Sequence, residues 1–277
     1  MKDERISHAL EFHDGANRRA FTVTELLVVT SILGMLMALL WPTAQQANRH
    51  ARTVACQSQL RQWSLAFSTF MNEHDTLIIN ASGDVWDLLW RPYCGRQRKG
   101  LFLCPMATRY ETNTNDPVWK LREAADCGVG SKSTAWKIAS RTPGTLEPGP
   151  FFGSYGVNGL GLTFLDTRPS QGRKPDRSRV PVFLDCTRFL AQVKQSDQPP
   201  AYDGALGSYG SMKDCCIDRH NGGINSLFLD WSVRTVGLKE LWTLEWSPWF
   251  DSQGPWTKAG GVRPEDWPRW MHKFTDD

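Results

Sequence analysis

The chain has 277 residues, with 32 Lys and Arg against 29 Asp and Glu and a formal net charge of +3. That balance leaves no basic footprint for nucleic acid, so no nucleic-acid partner is expected. No Walker loop, HExxH or GxSxG occurs, which removes the common signatures of phosphate-loop, zincin and α/β-hydrolase chemistry.

Residues 1–20 form a leader in which Asp3, Glu4, Glu11 and Asp14 balance Lys2, Arg5, Arg18 and Arg19. The next segment, 21–42, contains one charge, Glu25, in an otherwise apolar run that ends at Pro42. Its length matches the ~20 residues that a helix needs to cross a hydrocarbon core. A charge in such a helix costs roughly 2.5–3.5 kcal/mol on insertion scales and is usually kept for a partner or a task. A cleaved secretory signal would place its small residue after a shorter apolar core. Here the small residue, Ala20, precedes the core and follows Arg18 and Arg19.

Ala20, Phe21, Thr22, Glu25, Leu26, Leu27, the apolar helix and Pro42 together resemble the prepilin family, precursors of type IV pilins and type II secretion pseudopilins, whose members carry a basic leader. Ala20 stands where family members usually have Gly. The resemblance implies cleavage by a prepilin peptidase between Ala20 and Phe21 and methylation of the new Phe21 amine. It also implies that Glu25 pairs with the N-terminal amine of a neighbouring subunit, so that two costly charges neutralise each other. Orientation follows from the same resemblance, N-terminus inside, because Arg49 and Arg52 oppose the bias of Arg18 and Arg19.

Cys56, Leu60, Trp63, Phe67 and Phe70 recur at spacings of three and four, the stripe of an amphipathic helix over 43–75. The combined helix is expected to run from Thr22 to Asn72, with a kink or local break at Pro42. Residues 76–277 are long enough for one sizeable core. Strands are expected at 76–80, 180–185, 224–229 and 232–236, and loops at 141–150 and 168–179. The expected fold class is α+β, a long N-terminal helix packed on a small antiparallel sheet with long loops.

Near the C-terminus, Arg219, His220, Asn221, Gly222, Gly223, Asn225 and Asp230 resemble the His-x9-Asp-Gly motif of pilin-like proteins in planctomycete- and verrucomicrobia-type bacteria. Trp231 replaces the final glycine, which removes the residue best suited to a positive φ there. Asn221-Gly222-Gly223 reads as a turn and 224–236 as a hairpin with Asp230 near its tip. The segment offers two readings for His220 and Asp230: a hydrogen bond pinning a loop, or a polar clasp or part of a metal site. The segments 101–105 (LFLCP) and 154–159 (SYGVNG) also resemble that pilin-like family.

No cofactor is expected. Asp185, Asp214, Asp218 and Asp230 are available to calcium, which some pseudopilins bind, but match no standard loop. Cys215, Cys216 and His220 are a candidate zinc set without a Cys-x-x-Cys knuckle. Seven cysteines suit an oxidising compartment and leave at least one unpaired in a monomer. The tail carries Trp242, Trp246, Trp249, Trp256, Trp267 and Trp270, suited either to packing under coil or to stacking on sugars.

These readings combine into a non-enzymatic subunit of a type II secretion or type IV pilus-like filament, anchored in the inner membrane with a periplasmic domain. The partners so implied are a prepilin peptidase, other pilin subunits, an inner-membrane assembly platform and the lipid bilayer. The competing expectation is a membrane-tethered periplasmic module that binds glycan through Trp249 or Trp267.

Overall fold

The computed structural model describes residues 22–74, 100–108, 127–138, 151–160, 174–205 and 210–275. Ala20, Phe21, the strand expected at 76–80 and the loop expected at 141–150 lie outside the described residues. The chain divides into two compact units, which meet at Ala47 and Asn48.

The fold is α+β. One α-helix, α1 (Val23–His74), supplies the whole of the first unit's described structure and continues into the second. Its start is fixed by Thr22 and Glu25: the Glu25 amide donates to Thr22 Oγ1 at 3.2 Å, and the Thr22 amide donates to Glu25 Oε2 at 2.9 Å. This reciprocal capping box satisfies two amides that a helix N-terminus otherwise leaves without partners. The expected local break at Pro42 does not occur, since α1 runs unbroken past it. Proline removes one backbone bond at that point, and the flanking turns hold the helix.

Between Leu26 and Trp41 no apolar side chain finds a core; Leu26, Leu33, Met37 and Trp41 are all exposed by half or more. The hydroxyls of Thr30, Ser31 and Thr43 donate back to the carbonyls of Leu27, Val28 and Leu40. Their polarity is thereby absorbed within the helix, as an apolar solvent requires. The segment is long and apolar enough to cross a membrane.

In the second unit, the 48–74 part of α1 buries Cys56, Leu60, Trp63, Phe67 and Phe70, the whole of the expected stripe. Two sheets follow. Strands β1 (Cys127–Gly128), β2 (Trp136–Ile138) and β3 (Phe151–Gly153) form a small antiparallel sheet. The larger sheet contains β4 (Tyr155–Asn158), β5 (Pro181–Asp185), β6 (Leu190–Ala191), β7 (Gly223–Phe228) and β8 (Val233–Gly237), in the order β6-β4-β5-β7-β8. The expected antiparallel sheet is corrected at one edge, where β4 and β6 pair in parallel. The strands expected at 180–185, 224–229 and 232–236 are β5, β7 and β8 to within a residue.

Successive residues of a strand face opposite ways, and here both faces are covered. Phe183 and Leu227 join the aromatic cluster beneath α1, where Trp63 lies 4.4 Å from Phe102 and 5.0 Å from Phe183. Leu184 and Phe228 join a second cluster built from the C-terminal coil. That cluster contains Trp242, Trp246 and Trp267, with Trp256 and Trp270 packed against it. Trp242 meets Trp267 edge-on at 5.4 Å, and Trp246 Nε1 donates to the Leu241 carbonyl at 2.8 Å. The tryptophan-rich tail is therefore mostly the lid of a core. Trp249 is the exception, at 64% exposure.

Candidate functional site

Three short segments far apart in sequence converge beneath α1. The first is the 3-10 turn and following residues of LFLCP, where the Cys104 amide donates to Ser154 Oγ at 2.5 Å. The second is SYGVNG, whose Ser154 amide donates to Phe102 O at 2.8 Å and whose Tyr155 begins β4. The third is the motif of Arg219, His220 and Asn225 that leads into β7.

Asp185, the last residue of β5, is the hub. Its Oδ1 lies 2.8 Å from Arg219 Nη1, and its Oδ2 lies 3.0 Å from His220 Nε2 and accepts the Asn225 amide at 2.9 Å. Arg219 spends its remaining donors on the carbonyls of Ser154, Ser131 and Lys132. A buried charge requires such pairing and hydrogen bonding. His220 Nε2 also lies 3.4 Å from Cys104 Sγ, while its Nδ1 lies 3.1 Å from Thr53 Oγ1 on α1. Cys56, one turn further along α1, points its thiol at Asp185 Oδ2 at 3.8 Å and accepts from Tyr155 Oη at 3.0 Å. The side chains of Asp185, Arg219 and His220 have no solvent exposure.

The turn that delivers His220 explains its neighbours. Asn221 and Gly222 are left-handed, at φ 56 and 92. At Gly223 a Cβ would come within 2.6 Å of the Val236 carbonyl, so only glycine lets β7 begin there against β8. The Gly222 amide donates to Asp218 Oδ1 at 2.7 Å and holds the loop shut.

Electrostatics follows from burial and pairing. Burial pulls the His220 imidazole down, yet the charge and hydrogen bond of Asp185 raise it to about 9. Burial raises the Asp185 carboxyl, but the His220 and Arg219 charges beside it hold it well below the usual carboxylate range. Cys56 is raised, first by burial and then by Cys104 and Asp185. Burial also opposes ionisation of Cys104, but hydrogen bonds from Cys56 and His220 and the Arg219 charge bring it down to about 7.

A thiol, an imidazole and a carboxylate in this order suit nucleophilic chemistry. Here the Cys56, Cys104 and Asp185 residues are 0% exposed, and a buried thiol without an approach is inert. The arrangement can instead fasten α1 to the sheet. Gln57 Nε2 extends the attachment by donating to Asn225 Oδ1 and Thr235 Oγ1, and Asn225 Nδ2 donates to the Thr53 carbonyl.

His220 and Asp230 do not form a clasp. Strand β7 separates them by roughly 20 Å at ~3.3 Å per residue, and the partner of His220 is Asp185. Asp230 is exposed and accepts from the Ser232 amide and hydroxyl at 2.9 and 2.6 Å. The hairpin nevertheless adopts at Trp231 the left-handed conformation that glycine suits best, with φ 67.

The four aspartates considered for calcium are dispersed. Asp185 pairs with Arg219, Asp214 with Arg188, Asp218 with Gly222 and Lys273, and Asp230 with Ser232. The Cys215, Cys216 and His220 set also separates. Both cysteines lie in the cluster under the tail, with Cys215 Sγ 3.7 Å from Cys186 Sγ, whereas His220 faces α1. Trp267, considered for glycan, is 4% exposed and offers no stacking face. Sequence reasoning did not assign Cys56, Cys104, Arg219 or Tyr155 to a site. Their shared signal was that each lay in a core stripe or a short resembling segment.

No family model, curated protein or solved structure matches the chain.

Proposed function

We propose that the protein is a structural (pseudo)pilin subunit of a type II secretion or type IV pilus-like filament, processed by a prepilin peptidase between Ala20 and Phe21. The observation that carries this reading is a single helix with two different environments. Its 23–47 part buries nothing along its apolar length, and its 48–74 part is stitched to a sheet by aromatic packing and a buried polar centre. A chain built this way holds an apolar rod ready for lipid or for the apolar rods of sister subunits. Its chemistry is assembly rather than turnover, and the motif around His220 serves as the fastener between stem and sheet.

In this reading the leader is cytoplasmic, the apolar part of α1 spans the inner membrane, and the remainder is periplasmic. The partners are the peptidase, an inner-membrane assembly platform and other subunits. Glu25, seated at the first turn of α1, meets the methylated Phe21 amine of a neighbour and sets the axial stagger.

Intact-mass and N-terminal analysis of protein purified from its native membrane tests the proposal. A chain beginning at N-methyl-Phe21 is expected. An uncut Met1 start, or a cut beyond Trp41, overturns it.

A further inference from the structure

Cys56, Cys104, Asp185 and His220 bring two sulfurs, a carboxylate oxygen and an imidazole nitrogen within 4.8 Å of one another, all from buried residues. We propose that these four side chains form a structural zinc site that locks the stem part of α1 to the sheet, independently of the filament reading.

Four features of the centre suit a metal. First, the spacing is close to that of a tetrahedral site. With zinc at ~2.3 Å from sulfur and ~2.0–2.1 Å from nitrogen or oxygen, tetrahedral donors stand about 3.3–3.8 Å apart. Here His220 Nε2 is 3.4 Å from Cys104 Sγ and Cys56 Sγ is 3.8 Å from Asp185 Oδ2, both within that range, while His220 Nε2 and Asp185 Oδ2, at 3.0 Å, stand in hydrogen-bond contact and closer than two ligands of one ion. A small outward movement opens the space for an ion.

Second, the ligands are already oriented by outer partners. A metal-bound histidine usually has its other nitrogen hydrogen-bonded. His220 turns Nε2 into the cluster and holds Nδ1 against Thr53 Oγ1 at 3.1 Å. Arg219 fixes Asp185 through Oδ1, and the Asn225 amide holds Oδ2 where it faces Cys56 Sγ and His220 Nε2. Tyr155 Oη fixes Cys56 Sγ at 3.0 Å.

Third, charge closes. Two thiolates and one carboxylate bring three negative charges; Arg219 offsets one, and a divalent ion offsets the other two. A neutral cluster is what a site without solvent exposure requires. Fourth, the donor set selects the element. Two thiolates with imidazole and carboxylate favour a borderline-soft ion over calcium or magnesium, and a closed four-coordinate set with no open position is the structural kind of zinc site. The four ligands come from α1, the turn after residue 100, the end of β5 and the turn before β7. The ion would thus tie together elements that otherwise meet only on folding.

The test uses the full chain purified in detergent with its thiols kept reduced, and measures zinc content and the absorption spectrum after exchange with cobalt(II). Expected are one zinc per chain and the intense visible bands of tetrahedral cobalt with thiolate charge transfer. Thr53→Val, which removes only the outer partner, is expected to weaken zinc retention about 10–100-fold. Cys216→Ser is expected to leave zinc content unchanged. Cys56→Ser and Cys104→Ser are expected to lose the zinc, and where either fails to fold the wild-type zinc content alone decides the matter. The proposal is overturned by a chain that holds no zinc, by an octahedral cobalt spectrum, or by a Cys56 to Cys104 disulfide in protein from the native membrane.

Discussion

The Arg219 guanidinium stands 2.8 Å from the Asp185 carboxylate, with no part of either side chain exposed. Lys132 and Asp203 stand at 2.7 Å, but the Lys132 side chain is 55% exposed. Removing one partner of a buried pair costs about 3–5 kcal/mol, because the other charge is left behind without compensation. Exposed pairs contribute about 0–1 kcal/mol. Arg219→Met is therefore expected to lower the denaturant midpoint of the full chain in detergent strongly, and Lys132→Ala hardly at all. Equal effects would show that the buried pair is not what holds the centre together.

A second pair of positions separates docking from helix content. Trp63 is 2% exposed, packs on Phe102 and Phe183, and donates from Nε1 to the Leu101 carbonyl at 2.9 Å. Leu65, two residues on, is 68% exposed. Trp63→Ala is expected to cost about 3–5 kcal/mol, and Leu65→Ala less than about 0.5 kcal/mol, by urea unfolding followed with near-ultraviolet circular dichroism. A Leu65→Ala cost as large as that of Trp63→Ala would mean that the helix face facing the sheet has been wrongly assigned.

The contrast between those positions was legible in the sequence, since the spacing of Cys56, Leu60, Trp63, Phe67 and Phe70 marks the buried face without any tertiary information. The same periodicity concealed the centre. A cysteine on an apolar stripe and a cysteine aimed at a carboxylate look identical until β5 delivers Asp185 across the sheet. His220 was legible as a motif residue, but its partner was not, because motif spacing reports a strand between His220 and Asp230 and strands hold their ends apart. Edge strand β6, with only Leu190 and Ala191, is too short to show alternation, so the parallel pairing with β4 left no trace. The tail was readable either as a sugar platform or as core. Only the packing of Trp242 against Trp267 distinguishes the two.

Trp231 is the sharpest local conflict between sequence and conformation. Its amide donates to Phe228 O at 2.9 Å, the Phe228 amide donates to Ser232 O at 2.9 Å, and the residue itself is left-handed. This is a turn followed by a bulge residue that glycine fits best. Left-handed backbone costs a residue with a Cβ about 1–2 kcal/mol, offset here by the packing of the ring against the cluster under α1. Comparing Trp231→Gly with Trp231→Ala cancels the loss of the ring. The glycine variant is expected to be more stable than the alanine variant by about 1 kcal/mol in thermal unfolding. An alanine variant as stable as the glycine variant would show that the backbone at this position carries no strain.

Glu25 has two separable tasks, and one substitution distinguishes them. Its carboxylate closes the capping box with Thr22, accepting from the Thr22 amide at 2.9 Å and from the hydroxyl at 2.7 Å. Glutamine also serves at this position of a capping box, so Glu25→Gln keeps the helix start and removes the charge. Glu25→Ala removes both. If Glu25 pairs with the Phe21 amine of a neighbouring subunit, both variants are expected to be processed normally and both to lose co-assembly in crosslinking of native membranes. The loss in Glu25→Gln follows because the neighbour's amine is then left without a counter-charge in an apolar setting. Normal crosslinking of Glu25→Gln together with loss in Glu25→Ala would assign the residue to capping alone. The axial stagger would then have to be set elsewhere along the apolar face of α1.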